Sequence, residues 1–582
     1  MDARRQSNGW GGDALTAVLL ACLMTAVSAW RAWPLLSALH LPDTDDMMRL
    51  QQIRDWLAGQ DFTDLTQHRL GMAPGLAMHW SRLADLVPGA IISLMAPHAG
   101  RHDAELIAVI LWPAMLFAAA LFLVATITRR INGRAASATA IIIAAIAYPV
   151  TTLFQPGRID HHGFQMVLLL TLVRAIIARP TMASGVVAGL ATTASLIIGL
   201  ETAPLLLAAA LLLWIGWCRA TPGSDRQLLG YGLSMGMTLG FGAIIFGGSG
   251  WAYPACDGFT ERAWSIAQAG AFVPIALAIT GQAGRDTATR LVLSAIAAAL
   301  LTAVCGPSID GCIHPYATVD PLLARLWLDN VGEAQPLFAA SPATAIGYAG
   351  LMLAGILASL WCWRRTRDGR WGVLAIVQLT ALGLSCWQLR GAYAGTILAA
   401  PALAQMVAAA RARGAGWLAA AWLASAGILY PLAAQALART PGNAVAPTPP
   451  NASADCTAPD AVARLAALPS GTVIAPIDAG PYLLAGTGHR LIAAPYHRNN
   501  AGNAAMYRFL LASPEAARRI AVQWHARYLL LCPDRFPELG STAMADRHRM
   551  IGLLRANRVP AWLKPIDGPA GGVQLFGIDA DR

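Results

Sequence analysis

The sequence predicts a polytopic α-helical membrane protein followed by a separate C-terminal α/β domain. Three observations predict it. Of 582 residues, 56% are hydrophobic and only 13% are charged. Apolar runs long enough to cross a bilayer recur from Leu15 to about Ala436. Beyond a stretch rich in Pro, Ala, Asn and Thr, the hydrophobic runs shorten to strand length. Soluble domains do not have this composition, so the bilayer is the main solvent of the chain.

A hydrocarbon core of about 30 Å needs about 20 helical residues, and about thirteen runs qualify. They lie near 14–33, 104–128, 136–154, 163–178, 182–200, 202–218, 227–248, 264–281, 287–305, 343–363, 371–389, 391–410 and 416–436. Arginines fall on alternate connections: Arg4 and Arg5; Arg129, Arg130 and Arg134; Arg179; Arg219 and Arg226; Arg285 and Arg290; Arg364, Arg365, Arg367 and Arg370; Arg411 and Arg413. Basic loops stay cytoplasmic. The N-terminus is therefore expected in the cytoplasm and, after an odd number of crossings, the C-terminus outside it. The first run lacks a small-residue cleavage site and is read as a mature helix rather than a secretory signal. The net charge of +10 sits in these short loops, which argues against nucleic-acid binding.

The expected domains are a transmembrane domain over 1–438 with long outer loops at 34–103 and 306–342, a linker over 439–459, and an outer α/β domain over 460–582. The stretch Leu83 to Pro97 is expected to lie along the membrane interface. In the last domain GTVIAPID and RYLLLCPD read as buried parallel strands, and SPEAARRIAVQWHA and ADRHRMIGLLRAN as amphipathic helices. Of nine cysteines, Cys256, Cys305, Cys312, Cys456 and Cys532 fall outside the cytoplasm on this topology, where disulfides are permitted. Cys305 and Cys312 bracket a short loop, and Cys456 and Cys532 are placed to staple the last domain; no spacing resembles a zinc site.

In so apolar a chain the informative residues are the acids, histidines and arginines of the outer loops. PDTDDMMRL after the first span carries Asp43, Asp45 and Asp46. Three carboxylates so close repel unless a cation balances them, so the turn either binds a divalent metal or is a solvated cap for the helix through Met48, Leu50 and Ile53. FQPGRIDHHGFQ carries Asp160, His161 and His162; a carboxylate and an imidazole two positions apart suit Mn²⁺ or Mg²⁺, and the plainer reading is a helix cap with two surface histidines. Two such loops on one membrane face favour the metal. The loop 306–342 holds His314, Tyr316, Asp320, Trp327, Asp329 and Glu333, and its length marks it as functional or mobile. Arg390 lies at the outer end of a span, against the positive-inside preference, where a guanidinium either clamps a phosphate or snorkels to lipid headgroups.

Together these segments resemble the catalytic subunit of the oligosaccharyltransferases, within the GT-C class of glycosyltransferases that use lipid-linked sugars. DTDDMMRL matches the family's catalytic Asp and following Arg at Asp43 and Arg49, and MHWSRLADL its later HW stretch. Asp160, His161 and His162, with Gly157 before them, match the metal-binding DHH of archaeal members. NVGEAQP resembles the motif that ends in Glu, here Glu333, and Arg390 resembles the arginine that holds the lipid pyrophosphate. The WWDYG signature, which reads the acceptor sequon, survives only as PIDAG: Asp478 and Gly480 match, the aromatic residues do not, and Tyr482 follows. The DxxK helper is missing, the only lysine being Lys564 with Ala561 three residues before it.

The resemblance implies a GT-C fold in a bacterial inner membrane, with the C-terminal domain periplasmic. The implied reaction moves a sugar from a polyprenyl phosphate or pyrophosphate donor to a protein, lipid or glycan acceptor, with inversion. Asp43, Asp160 and His162 would hold Mn²⁺ or Mg²⁺, Asp43 and Glu333 would be catalytic, Arg390 would bind donor phosphate, and Asp478 and Tyr482 would contact the acceptor. Asp45, Asp46, Arg49, His161 and His314 are secondary candidates. The lost aromatic residues also fit a monophosphate-donor transferase acting on lipopolysaccharide or another glycolipid. A lipid-linked-sugar flippase would instead use intramembrane charges, for which Arg174 and Glu201 are the candidates.

Overall fold

The computed structural model describes residues 10–281, 286–313, 316, 318–438, 455–534, 536–566 and 572–579. His314 and most of the expected linker, 439–454, lie outside the described residues. The chain divides into two compact units. The first is Met1–Trp33, Trp80–Pro315 and Gly332–Asn443; the second is Pro34–His79, Tyr316–Val331 and Ala444–Arg582.

The first unit is helical because its long apolar runs satisfy their backbone polar groups internally. Among the described residues seven helices are long and apolar enough to cross a membrane, or up to nine if each of two bent helix pairs is one span. Four further predicted runs fold as shorter apolar helices, Arg134–Ala145, His162–Ile177, Met182–Ile198 and Ala203–Cys218. Every run read from the sequence is thus helical, and outward-facing Leu19, Leu23, Leu207 and Ile244 are more than half exposed, as lipid-facing side chains are. Helix Leu86–Ala99 packs on helix Arg101–Asn132.

Small residues set a close helix crossing between Met182–Ile198 and Ser224–Phe246. A Cβ at Gly185 would come within 2.0 Å of the Gln227 carbonyl oxygen, and one at Gly189 within 2.5 Å of that of Tyr231. Backbones approach this closely only at glycine, the small-xxx-small device of membrane helices. Arg129 ends its helix paired with Asp13, to which Ser137 Oγ also donates at 3.0 Å. Arg290 corrects one expectation: it lies in the first turn of helix Thr287–Ile313 rather than in a loop, its guanidinium 4.8 Å from the Trp217 ring and 3.3 Å from Asp225. That helix runs eight residues past the expected span end at 305, so the following loop is shorter than the sequence suggested. Cys312 pairs with Cys256, leaving Cys305 a buried thiol.

The second unit is built on a five-stranded mixed sheet of order β4-β3-β5-β7-β6. Its strands are β3 (Thr472–Ile474), β4 (Arg490–Leu491), β5 (Ala526–Leu531), β6 (Leu563–Pro565) and β7 (Gln574–Ile578); a separate hairpin pairs β1 (Thr66–Gln67) with β2 (Leu76–Ala77). β3 and β5, the two strands read from the sequence, pair in parallel. Helix Pro514–Gln523 falls within the expected amphipathic run, whereas the other run forms only Met550–Arg555. The disulfide Cys456–Cys532 closes a separation of 76 residues.

Two earlier segments belong to this unit. The Leu491 N–H donates to Arg69 O at 2.9 Å, and the Gly71 N–H to Leu491 O at 2.8 Å. The Arg69 guanidinium donates to Leu484 O and Thr487 O, both at 2.7 Å, and Arg54 donates to Ala485 O at 2.9 Å. Two arginines so satisfy carbonyls at the end of helix Gly480–Gly486, which also favours positive charge there. The segment 316–331 is held by Asn500, which donates to Thr318 O at 3.0 Å and accepts from the Asp320 N–H at 2.8 Å, and by Leu323, fully buried in the core.

Candidate active site

The DHH turn is fixed from both sides. Gly157, with φ +91°, takes a left-handed conformation that favours glycine, and its N–H donates to Val109 O at 2.8 Å, tying the turn to helix Arg101–Asn132. Helix His162–Ile177 then begins at the second histidine. Asp160, His161 and His162 are each more than nine-tenths buried, so the reading of two surface histidines is set aside.

The side chains form a chain of charges. Asp160 Oδ1 accepts from the His161 backbone N–H at 2.7 Å and lies 2.6 Å from His161 Nδ1. The other ring nitrogen, Nε2, faces Glu201 Oε1 at 3.4 Å. Asp160 Oδ2 lies 3.4 Å from His162 Nε2, which is 4.0 Å from Glu333 Oε1. Gln165 Nε2 donates to Glu201 Oε2 at 3.3 Å and to Gly199 O at 3.1 Å, seating the glutamate between two helices. Burial disfavours an imidazolium at His161, but the carboxylates of Asp160 and Glu201 overcome it and push His161 up to about 10. Burial would raise Glu201, and the His161 charge, with Arg390 further off, holds it well below the usual carboxylate range.

Glu333 and Arg390 are joined through their backbones. The Leu389 N–H donates to Gln335 O at 2.9 Å and the Leu337 N–H to Ser385 O at 3.0 Å, so the NVGEAQP segment is laced to the end of helix Gly369–Trp387. Arg390 Nε donates to Gln388 Oε1 at 2.7 Å, and its half-buried guanidinium is within electrostatic reach of Glu201. Tyr393 stands 6.5 Å from the His162 ring and 6.2 Å from Tyr348, with Arg158 within electrostatic reach of both tyrosines.

This donor set fits a divalent cation. Asp160 Oδ2 and His162 Nε2, 3.4 Å apart, are within reach of one ion whose bonds to such atoms are about 2.1 Å. Asp160, His161 and His162 offer ligand atoms all within 4.8 Å of one another. Because both nitrogens of His161 face carboxylates, His161 is better placed to brace Asp160 than to ligate. Three carboxylates, from Asp160, Glu201 and Glu333, call for positive charge here.

The other candidates belong to the second unit. Asp43 is the N-cap of helix Thr44–Leu57, accepting from the Asp45 N–H at 3.1 Å and from Thr44 Oγ1 at 3.2 Å. This is the capping geometry weighed from the sequence. Asp46 and Arg49 are buried in the same helix, and Asp45 is half-buried. Asp478 follows β3 in a single turn, Ile477–Ala479. Its side chain keeps solvent contact, yet the protein packed around it desolvates the carboxylate and, with the charges of Asp43 and Asp455, raises its pKa. Tyr482 is buried, stacks on His40 at 4.6 Å and donates its hydroxyl to Leu41 O at 3.1 Å.

No family model and no curated protein matches the sequence. Solved structures do. The archaeal oligosaccharyltransferase AglB of Archaeoglobus fulgidus, in complex with an inhibitory peptide and a dolichol-phosphate, aligns over 96% of this chain and 72% of its own at 16% identity, with a TM-score of 0.69. The chain has the oligosaccharyltransferase, GT-C, fold. The same A. fulgidus enzyme tethered to an acceptor peptide containing the NVT sequon covers 98% of this chain and 74% of its own at 15% identity and TM-score 0.63. Its complex with Zn and sulfate covers 90% and 68% at 14% identity and TM-score 0.62.

Within this GT-C fold the first unit brings together Asp160, His161, His162 and Glu333, with Arg390 on a segment laced to that of Glu333; Asp43, Asp478 and Tyr482 lie in the second unit. Sequence reasoning missed Glu201 as a site residue, having weighed it only for transport. Its signal was a carboxylate between two apolar runs. Gln165, Tyr348 and Tyr393 gave no signal beyond polarity at span ends.

Proposed function

We propose that the protein is a glycosyltransferase that moves a sugar or oligosaccharide from a polyprenyl-phosphate or pyrophosphate donor to an acceptor at the periplasmic face of a bacterial inner membrane. The observation that carries this is the buried Asp160–His162 pair with half-exposed Glu333 at its edge and Arg390 nearby, in a chain of the oligosaccharyltransferase fold. Solved relatives bound to dolichol-phosphate and to a sequon peptide support a lipid-linked donor and a polymeric acceptor. The arginine-bearing loops support the orientation, with the N-terminus cytoplasmic and the chain end periplasmic.

In the reaction the bond from the anomeric carbon to the phosphate oxygen breaks as the acceptor attacks from the opposite face, inverting the centre. The difficulty is the negative charge left on phosphate. Mn²⁺ or Mg²⁺ held by Asp160 and His162 would supply Lewis-acid stabilisation of that charge. Arg390 grips the phosphate through its guanidinium fork, oriented by Gln388. His161, between Glu201 and Asp160, holds Asp160 in its ligating rotamer. Glu333 accepts a hydrogen bond from the acceptor amide or hydroxyl. The roles of Asp43, as a metal-binding carboxylate and as general base toward a hydroxyl acceptor, rest on the sequence resemblance alone, as does acceptor contact by Asp478 and Tyr482.

A second reading keeps the chemistry and changes the substrates: a monophosphate donor and a glycolipid acceptor. PIDAG in place of WWDYG favours it, since the aromatic residues that read a sequon are absent from the sequence. Transport is less supported. Of the two charges a translocation path would use, Arg174 sits 5.8 Å from the Trp10 ring and Glu201 belongs to the DHH cluster. The test is turnover by protein purified in detergent with a panel of polyprenyl-phosphate and polyprenyl-pyrophosphate sugars, with and without Mn²⁺. Metal-dependent sugar transfer or donor hydrolysis is expected, and the productive donor decides between the readings. Lipid-linked sugar carried across proteoliposomes without chemical turnover would overturn them both.

A further inference from the structure

The second unit carries a cleft lined by none of the residues given a role in sugar transfer. Between helix Pro514–Gln523 and the stretch from Leu553 to Trp562 lies a cleft of about 1040 Å³. The helix presents Glu515, Arg518, Arg519 and Val522 to it, a spacing of three and four that puts them on one face. Arg558 and Val559 approach it after the helix Met550–Arg555, and buried Trp562 joins its lining. Three guanidiniums against one carboxylate leave a surplus of positive charge, on a surface where Val522 and Val559 are 45% and 37% exposed.

A lone phosphate would leave most of this volume and both valines uncovered. Pockets of about 300–1,000 Å³ hold ligands of drug size, and Arg forks pair carboxylates two bonds at a time. Trp562 leads directly into β6, an edge strand of the sheet, the kind of border along which extended peptides pack. We propose that this cleft binds an acidic peptide segment whose carboxylates pair with Arg518, Arg519 and Arg558 and whose aliphatic side chains cover Val522 and Val559. The proposal is independent of sugar transfer.

The experiment uses the full-length protein in neutral detergent and a fluorescein-labelled octapeptide of alternating Glu and Leu, followed by anisotropy. Saturable binding is expected, with no binding of the Gln and Leu counterpart. Binding should weaken by about tenfold or more in the R519Q/R558Q double variant, which changes two exposed positions and whose melting temperature and donor turnover stay at wild-type values. Arg518→Gln, its melting temperature followed alongside, gives a second, single-site check. Absence of saturable binding, equal affinity for the neutral peptide, or undiminished affinity in the double variant would overturn the proposal. So would binding to phosphatidylglycerol vesicles that the acidic peptide fails to compete, since the cleft would then be a lipid-facing surface.

Discussion

Replacing Glu201 by Gln isolates what the DHH cluster owes to a residue that is not itself a ligand. The substitution keeps the volume and removes one negative charge 3.4 Å from His161 Nε2. Breaking a fully buried pair costs about 3–5 kcal/mol, but the Glu201 side chain is 18% exposed and faces the imidazole as an ion-pair contact at 3.4 Å. The loss of stability should therefore lie below that range, at about 1.5–3 kcal/mol. The larger effect is on the cation. With Glu201 neutral, His161 leans on Asp160 alone, and the cluster carries one negative charge less. Losing a partner of this kind weakens metal binding by about 10- to 100-fold, that is by about 1.4 to 2.7 kcal/mol. The assay is titration with Mn²⁺, free ion being read by electron paramagnetic resonance, for wild type, Glu201→Gln and Asp160→Asn. Glu201→Gln should fall between the other two. An affinity within about twofold of wild type, with Asp160→Asn strongly impaired, would refute the brace.

Further outcomes follow from other parts of the fold. Gly185→Ala drives a Cβ to within 2.0 Å of a backbone oxygen and should cost about 1–3 kcal/mol of overpacking, read as a lower melting temperature in detergent. Cys456→Ser with Cys532→Ser opens a loop of 76 residues and should destabilise the second unit by about 4.5 kcal/mol on the chain-entropy account, read by denaturant unfolding of that unit's tryptophans. For acid stability, burial would raise Asp64, but hydrogen bonds from Thr66, His68 and Gln60 outweigh it and depress the carboxyl to about 2. A depressed acid stabilises above its unfolded pKa, and that contribution is lost as pH falls through the ordinary carboxylate range toward about 2. Asp64→Asn should flatten this limb of the stability–pH curve. A steep limb retained in the variant would assign the acid sensitivity to other groups.

How much was legible from sequence depended on the range of the interaction. The apolar runs were legible because a bilayer demands local apolarity over a fixed length, and each predicted run carries helix, although among the described residues only seven to nine are long enough to span and four are shorter. As candidates, Asp160, His162 and Arg390 were legible because polar groups at span ends stand out against an apolar chain, and Glu333 through the resemblance of NVGEAQP. Glu201 was not legible as a site residue: its partner His161 lies 40 positions away, and only packing of the helices on either side supplies the contact. Likewise the sequence showed β3 and β5 as strands, but not that Arg69 and Gly71 of an early loop bond to Leu491 on β4. Asp43 illustrates the opposite case: its capping geometry is local and was readable in advance, while its chemical role was not.

The most direct test is single-turnover sugar release from a polyprenyl-linked donor by the purified protein, comparing wild type, Asp160→Ala and Arg390→Gln with saturating Mn²⁺ and after chelation. The account predicts release that needs the metal, loss of about 10²-fold or more in Asp160→Ala, and a weakened donor affinity with a smaller rate loss in Arg390→Gln. Turnover that survives chelation and is unchanged in Asp160→Ala would contradict it.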